Sequence, residues 1–114
     1  NICSNQALCA LAVGVYLAAM GNEGLRKAAV QCTSKAHYMS VRLQDAGCRL
    51  ENEREFFHEF VTVSETPAEK ILEALEEEGI LGGYPLDEHR ILWCCTEMNS
   101  KEEIDRAAAI VKGV

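Results

Sequence analysis

The sequence is short of proline and of positive charge, and each shortage limits what the protein can be. Two of the 114 residues are proline, and no polar low-complexity tract occurs, so the chain is not a disordered segment. Lys and Arg total 11 against 18 Asp and Glu, which leaves a net charge of -7. No basic run is longer than Arg26-Lys27. We therefore expect neither nucleic acid nor an anionic membrane as a partner.

Complete catalytic motifs are also missing. The sequence has no G-x-S-x-G, no P-loop, no H-E-x-x-H and no glycine-rich dinucleotide fingerprint. His58 and Glu59 lie in a predicted strand, where successive side chains point to opposite faces, so we do not expect them to act together. Lys35 lies off the apolar stripe of its predicted helix, which favours a solvated lysine over one that binds a carbonyl cofactor. The residues alone predict no catalytic group.

The cysteines and histidines follow no metal-binding spacing. Six cysteines occur without any C-x-x-C pair, and the three histidines are scattered. Cys94 and Cys95 are adjacent in a predicted strand, so they point to opposite sides. We interpret the thiols mainly as free, buried, small apolar groups, and we expect no disulfide, no metal site and a reducing cytoplasm.

The length predicts one domain over residues 1–114, large enough to bury a core. Because the chain begins at Asn1, directly before an apolar helix, we expect it to be a fragment of a longer polypeptide. The apolar stretch Ala7 to Met20 is shorter than the roughly 20 residues that cross a bilayer, which favours a packed helix over a membrane span.

The periodicity predicts seven elements in the order α-α-β-β-α-β-α. They run from Gln6 to about Ala19, Asn22 to about Ala46, Cys48 to Asn52, Phe56 to Ser64, Thr66 to Glu78, Arg90 to Thr96, and onward from Ser100. This order predicts an α+β domain with a mostly antiparallel, three-stranded sheet and helices on one face.

Several local signals accompany these elements. Thr66-Pro67-Ala68-Glu69 and Ser100 to Glu103 both read as capping boxes, and Gly82-Gly83 reads as a turn that needs unusual backbone angles. The first helix is apolar nearly all round, so we expect one face to pack against something outside this chain.

Polar side chains flank apolar elements at two places. Asn5 and Gln6 precede the first helix, and Thr96 and Glu97 follow the last strand. Strand ends and helix starts suit contacts with ligands or partners, although helix capping alone accounts for Asn5 and Ser100. We take Asn5, Gln6, Thr96 and Glu97 as possible interface or pocket-lining residues.

Six stretches carry a resemblance to a known family. They are NICSNQALCALA, VYLAAMGNEGLRKAA, KAHYMSVRL, FFHEFV, GILGGYPL and CCTEMNSKEEID. Together they resemble glycine dehydrogenase (decarboxylating), the P-protein of the glycine cleavage system, and more narrowly the C-terminal domain of its subunit 1. The family commonly carries Asn where this chain has His58.

The resemblance implies an oxidoreductase with the type I fold of pyridoxal-phosphate enzymes, of which this chain supplies the small domain and its lead-in helix. It implies decarboxylation of glycine and transfer of the aminomethyl group to the lipoyl H-protein. The cofactor lysine would lie in subunit 2, so no catalytic or cofactor-binding residue is expected here. No cofactor-lysine motif surrounds any of Lys27, Lys35, Lys70, Lys101 and Lys112. The expected partners are subunit 2, the chain's own N-terminal large domain and the H-protein.

Two alternatives stay open. One is the small domain of another type I enzyme, such as a cysteine-desulfurase-like protein, with Arg90 or Arg106 binding a substrate carboxylate. The other is a free-standing interaction module.

Overall fold

The computed structural model describes residues 6–114, which divide into two compact units. The boundary in the sequence falls between Val30 and Gln31. The described part of the first unit is helical, and the second unit contains the sheet and the core. The interpretation of residues 1–114 as one domain with a lead-in helix stays a prediction.

Helix α1 runs over Ala7–Asp45 and is broken at Gly21. The backbone of Gly21 has φ 60° and ψ -177°, a combination that is essentially restricted to glycine. The sequence predicts the end of its first helix at this glycine, and the structure places the break there. A side chain at position 21 would strain the backbone, because a Cβ atom disfavours this conformation.

The apolar side chains of the first unit are largely uncovered. Leu8 is 76% exposed and Leu11 is 64% exposed, and none of the residues described in 6–30 is buried. By length and composition alone α1 could cross a membrane; mostly buried core helices of soluble proteins and N-terminal signal sequences pass the same test, and the apolar window of α1 is not buried. The break at Gly21 leaves an uninterrupted apolar stretch that is shorter than the roughly 20 residues a span requires. That something outside this chain packs on one face of this helix, as expected from the sequence, stays a prediction.

The second unit contains a four-stranded antiparallel sheet. Its strands are β1 (Arg49–Leu50), β2 (Glu59–Val63), β3 (Tyr84–Pro85) and β4 (Arg90–Cys94), in the spatial order β1-β2-β4-β3. Helices α2 (Ala68–Glu77) and α3 (Lys101–Gly113) complete the fold. The predicted α+β class is confirmed. The additional strand, β3, has two residues, too few for a periodic pattern to reveal it.

One face of the sheet carries the core. Phe60 pairs with Trp93 and Thr62 pairs with Ile91 across β2 and β4, and all four side chains are buried. Side chains from all three helices join the same apolar cluster: Ala36, Met39, Leu43, Ile71, Leu75, Ile104, Ala107 and Val111. The helices therefore pack on one face of the sheet, as predicted.

The two predicted capping boxes have different outcomes. Ser100 Oγ accepts a hydrogen bond from the Glu103 N–H, and the Glu103 carboxylate accepts one from the Ser100 N–H, so this box is confirmed. The box predicted at Thr66 is wrong. Pro67 occupies the N-cap position with ψ 137°, and no side chain caps α2. The helix starts one residue later than predicted, which places Thr66 out of register for capping.

The prediction that Gly82 and Gly83 form a turn with unusual backbone angles is wrong. Among the described residues, positive φ angles occur at Gly21, Gly47 and Gly79. Gly83 is instead required by space, because a Cβ atom there would overlap the Leu92 carbonyl oxygen and lie 2.6 Å from Ile91 Cγ2. The missing side chain lets the segment before β3 approach β4.

Candidate functional site

A corner of five residues, 96–100, connects β4 to α3. The Thr96 N–H donates to Asn99 Oδ1 at 2.9 Å, and the Asn99 N–H donates to the Thr96 carbonyl at 3.2 Å. The Thr96 hydroxyl also accepts from the Met98 N–H. Thr96 and Asn99 thus close the turn with their own side chains, and Ser100 then opens the helix.

Helix α1 holds the corner from the side. Lys35 Nζ donates to the Glu97 carbonyl at 2.6 Å, and Cys32 Sγ donates to Glu97 Oε2 at 3.1 Å. The Cys32 hydrogen bond holds the pKa of the Glu97 carboxyl below its usual range. Partial burial, together with this bond, raises the pKa of the Cys32 thiol. Lys35 is therefore engaged with the backbone of the corner, whereas the sequence predicts it to be solvated.

The structure brings together two of the four residues predicted to line an interface or pocket. Thr96 and Glu97 are neighbours in the corner, where Glu97 is exposed and Thr96 half-buried. Gln6 is exposed in the first unit. Asn5 lies outside the described residues. A role for these four in an interface stays a prediction.

A cavity of about 460 Å³ lies beside the corner. Asn99 and Cys95 contribute to its wall, and the segment from Gly79 to Tyr84 forms another part of it. The titratable groups in the lining include the carboxylates of Glu59 and Glu103, and no Lys, Arg or His from residues 6–114 is part of it. Such a wall suits an apolar group or a cation, and it disfavours a phosphate.

Two of the described lysines are engaged in hydrogen bonds, Lys35 with the Glu97 carbonyl and Lys101 with Asp105. Lys101 donates to Asp105 at 2.6 Å, and its contacts with Asp105 and Tyr38 raise its pKa to about 12. A lysine that attacks a carbonyl must first lose its proton, which a raised pKa opposes. Lys27, Lys70 and Lys112 are exposed.

Both candidate arginines are paired with acidic groups. Arg90 contacts Asp87 at 2.6 Å and Glu51 at 2.7 Å. Arg106 donates to both the carbonyl and the carboxylate of Glu78. A substrate carboxylate would have to displace these partners, so the arrangement does not favour the carboxylate-binding role considered from the sequence.

A further cluster, which the sequence does not predict, consists of His58, Glu59 and Cys94. One ligand atom from each residue lies within 4.8 Å of the others. The expectation that His58 and Glu59 could not act together fails because β2 begins at Glu59, which leaves His58 in a bend outside the alternating strand. Glu59 pairs with Cys94 across the strands. The predicted burial of the thiols holds for Cys48 and Cys95, whereas Cys32 is half-buried and Cys9 and Cys94 are exposed.

Comparison with known proteins identifies the family. The family model for the glycine cleavage system P-protein matches residues 1–111. A protein named probable glycine dehydrogenase (decarboxylating) subunit 1 from Chlorobium limicola is 44% identical over 92% of this chain. Its namesake from Moorella thermoacetica is 41% identical over the whole chain. The match covers 25% of the Chlorobium protein and 27% of the Moorella protein, so this chain spans about a quarter of their length.

The fold agrees with these matches. A crystal structure of glycine decarboxylase (P-protein) of the glycine cleavage system, in inhibitor-bound form, superposes with a TM-score of 0.89 at 32% sequence identity. The superposition covers 99% of this chain and 27% of that one. Since the family model spans nearly every residue, this chain belongs to the glycine cleavage system P-protein family.

Proposed function

We propose that this chain is the C-terminal part of subunit 1 of glycine dehydrogenase (decarboxylating), an enzyme of glycine catabolism. In this role it contributes a small domain and contact surfaces, and it contributes no reacting groups. The observation that carries the proposal is the superposition of 99% of the chain on 27% of a solved P-protein, with a TM-score of 0.89. The names of the relatives from Chlorobium and Moorella, both subunit 1, support the choice of subunit.

We further propose that the cofactor, pyridoxal phosphate, is bound by the partner subunit 2. Pyridoxal phosphate supplies an electron sink for decarboxylation when it is bound. The described residues of this chain do not fit it. Lys35 and Lys101 are engaged with Glu97 and Asp105, and the cavity wall has no basic side chain for a phosphate.

The contact surfaces follow from exposure. The apolar side chains of the first unit, among them Leu8 and Leu11, suit a cover provided by the large N-terminal domain of the same subunit. The corner at Thr96 and Glu97 suits a contact with subunit 2, because α1 binds the Glu97 carboxylate and carbonyl and the Thr96 hydroxyl is held by the Met98 N–H. The lipoyl H-protein would then dock on the assembled enzyme. The free thiols among the described residues support a cytoplasmic location.

Reconstitution tests the function. Subunit 2 and a subunit 1 truncated before the segment equivalent to this chain are mixed with and without the chain, and release of labelled CO2 from glycine is measured with lipoylated H-protein present. We expect activity only when the chain is added. The chain alone should release no CO2 and show no cofactor absorbance when titrated with pyridoxal phosphate. Cofactor absorbance from the chain alone would overturn the assignment of the cofactor to subunit 2.

A charge substitution tests the proposed cover of the first unit. Leu11→Glu places a carboxylate on the exposed apolar helix and should abolish association with the truncated subunit 1 in a sedimentation assay. Val41→Glu is the matched control, since Val41 is also an exposed apolar residue of α1 but lies in the second unit. Equal association of both variants would show that the first unit is not the contact. If the wild-type chain associates with neither subunit, a free-standing module is the better interpretation.

A further inference from the structure

The cluster of His58, Glu59 and Cys94 combines three different metal-binding groups at one end of the sheet. Glu59 and Cys94 are opposite each other in the β2–β4 register, on the face that points away from the core. The bend before β2 brings His58 next to them, and the Cys95 N–H donates to the His58 carbonyl at 3.0 Å, which fixes the bend. The backbone therefore holds all three residues in place.

The imidazole of His58 has a polar atom that the rest of the fold leaves unsatisfied. Its Nδ1 atom is buried and has no hydrogen-bond partner among the described residues. Buried polar atoms are nearly always hydrogen-bonded, because an unpaired one loses its hydrogen bonds to water and gains no other bond to replace them. The Phe57 ring packs edge-on against the imidazole at 4.8 Å between centroids, and it offers no hydrogen-bond acceptor. An imidazole of this kind is available to bind a cation.

One cation could satisfy both Glu59 and Cys94. Glu59 and Cys94 are partners in the β2–β4 register, and their ligand atoms lie within 4.8 Å of each other. A carboxylate and a thiolate this close repel each other as anions. A divalent cation between them would remove the repulsion and stabilise the thiolate form.

We propose that His58, Glu59 and Cys94 bind a divalent transition-metal ion of the Zn²⁺ type. One imidazole nitrogen, one carboxylate oxygen and one thiolate sulfur form a donor set that Zn²⁺ accepts, whereas Mg²⁺ and Ca²⁺ prefer oxygen alone. Ligand atoms around tetrahedral zinc lie roughly 3.5 Å apart. Side-chain rotations that move the ligand atoms by about 1 Å would therefore bring all three within bonding distance of one ion. On binding, the Cys94 thiol releases its proton to solvent.

Two of the three proposed ligands also line a cavity. Glu59 and Cys94 both line the cavity beside the 96–100 corner, whose wall is otherwise apolar and acidic. Three protein ligands with one open position leave room for water or for a small donor molecule in that cavity. The proposal does not depend on the function proposed above, since it concerns residues of this chain alone.

Titration of the whole purified chain with Co²⁺ tests the proposal. Cobalt reports on zinc-type sites, since a bound thiolate adds a charge-transfer absorption band in the near ultraviolet. We expect one Co²⁺ per chain with this band, and competition by Zn²⁺ should remove it. Cys94→Ser should eliminate the band. His58→Asn and Glu59→Gln should each weaken binding by at least about tenfold.

Cys9→Ser is the matched control, because Cys9 is another exposed free cysteine and lies in the first unit. It should leave affinity and spectrum unchanged. The thermal unfolding midpoint should rise with Zn²⁺ in the wild type and in Cys9→Ser, and stay constant in Cys94→Ser. Since Glu59 and Cys94 are exposed, their replacements should fold, which circular dichroism without metal verifies. A band that persists in Cys94→Ser, or equal affinity in Glu59→Gln and the wild type, would overturn the site.

Discussion

The Trp93 indole N–H donates a 2.7 Å hydrogen bond to the Thr62 hydroxyl between the two central strands. Both residues are almost completely buried, Trp93 at 2% and Thr62 at 1% exposure. Thr62 is one of the few polar residues in this core, and this bond accounts for its presence. The pair links β2 and β4 under the three helices, so it joins the packing of the core to the register of the sheet.

Thr62→Val should destabilise the second unit by about 1 to 3 kcal/mol, because it leaves the Trp93 N–H buried without an acceptor. Urea unfolding followed by circular dichroism measures the change, because Trp93 is the only tryptophan in the sequence and one of the variants replaces it. Adding Trp93→Phe to Thr62→Val removes the unpaired donor, although it also loses ring volume. This account is contradicted if the double variant loses more unfolding free energy than the two single variants lose in total.

Gly83→Ala should destabilise the second unit by about 1 to 3 kcal/mol, because the new methyl group would overlap the Leu92 carbonyl and Ile91 Cγ2. Gly113→Ala is the matched control, since a Cβ atom there meets nothing within 4 Å. Chemical unfolding of both variants gives the comparison. If the two variants are equally stable, the segment before β3 does not require the close approach.

Asp105 should contribute stability that disappears in acid. Its carboxylate accepts from Lys101 and Tyr38, both at 2.6 Å, and from Arg42 at 3.0 Å, and these contacts lower its pKa from 3.8 to about 2. A lowered folded-state pKa stabilises the fold above about pH 4, and this contribution is lost as the pH falls towards 2.

The expected observation is a thermal midpoint that declines between pH 4 and 2 more steeply in the wild type than in Asp105→Asn. Asp45→Asn is the control, because Asp45 contacts Arg42 at 3.2 Å from a more exposed position. Parallel midpoint curves for the wild type and Asp105→Asn would show that the three donors do not stabilise the carboxylate.

Ser100→Ala should cost about 1 kcal/mol, because the Glu103 N–H at the start of α3 loses its acceptor. Ser100→Asp keeps an acceptor at the same position and should retain most of the stability. Thr66→Ala is a second control, since Thr66 caps no helix in this structure. The three unfolding free energies should rank Ser100→Ala as the least stable. A larger loss in Thr66→Ala would contradict the cap assignment.

The sequence predicts those features that depend on short stretches. The apolar period of α3 and the box at Ser100 lie within about one helical turn of each other, so local rules suffice for them. The box at Thr66 satisfies the same rule and is still wrong, because Pro67 takes the N-cap position itself. Capping patterns locate a helix start to within a residue or two, and the tertiary structure decides between neighbours.

Features that depend on strand register could not be predicted. The proximity of Cys94 to Glu59 requires the pairing of β2 with β4, which joins residues far apart in the sequence. The need for Gly83 similarly arises from the Leu92 carbonyl, and no neighbour of Gly83 in the sequence indicates it. A contact between helix and corner is equally distant in the sequence, since the Cys32 thiol, the partner of Glu97, lies 65 positions away. Register is a long-range property, and apolar periodicity constrains only which face a residue occupies.

The exposed apolar helix of the first unit affects how long the chain persists in a cell. Copies whose first unit is not yet covered expose a long apolar surface of the kind that chaperones and proteases recognise. With the cover proposed above, the large N-terminal domain of the same subunit hides this surface once it has folded against it. Loss of that domain should therefore expose the helix and lower the amount of the subunit that persists.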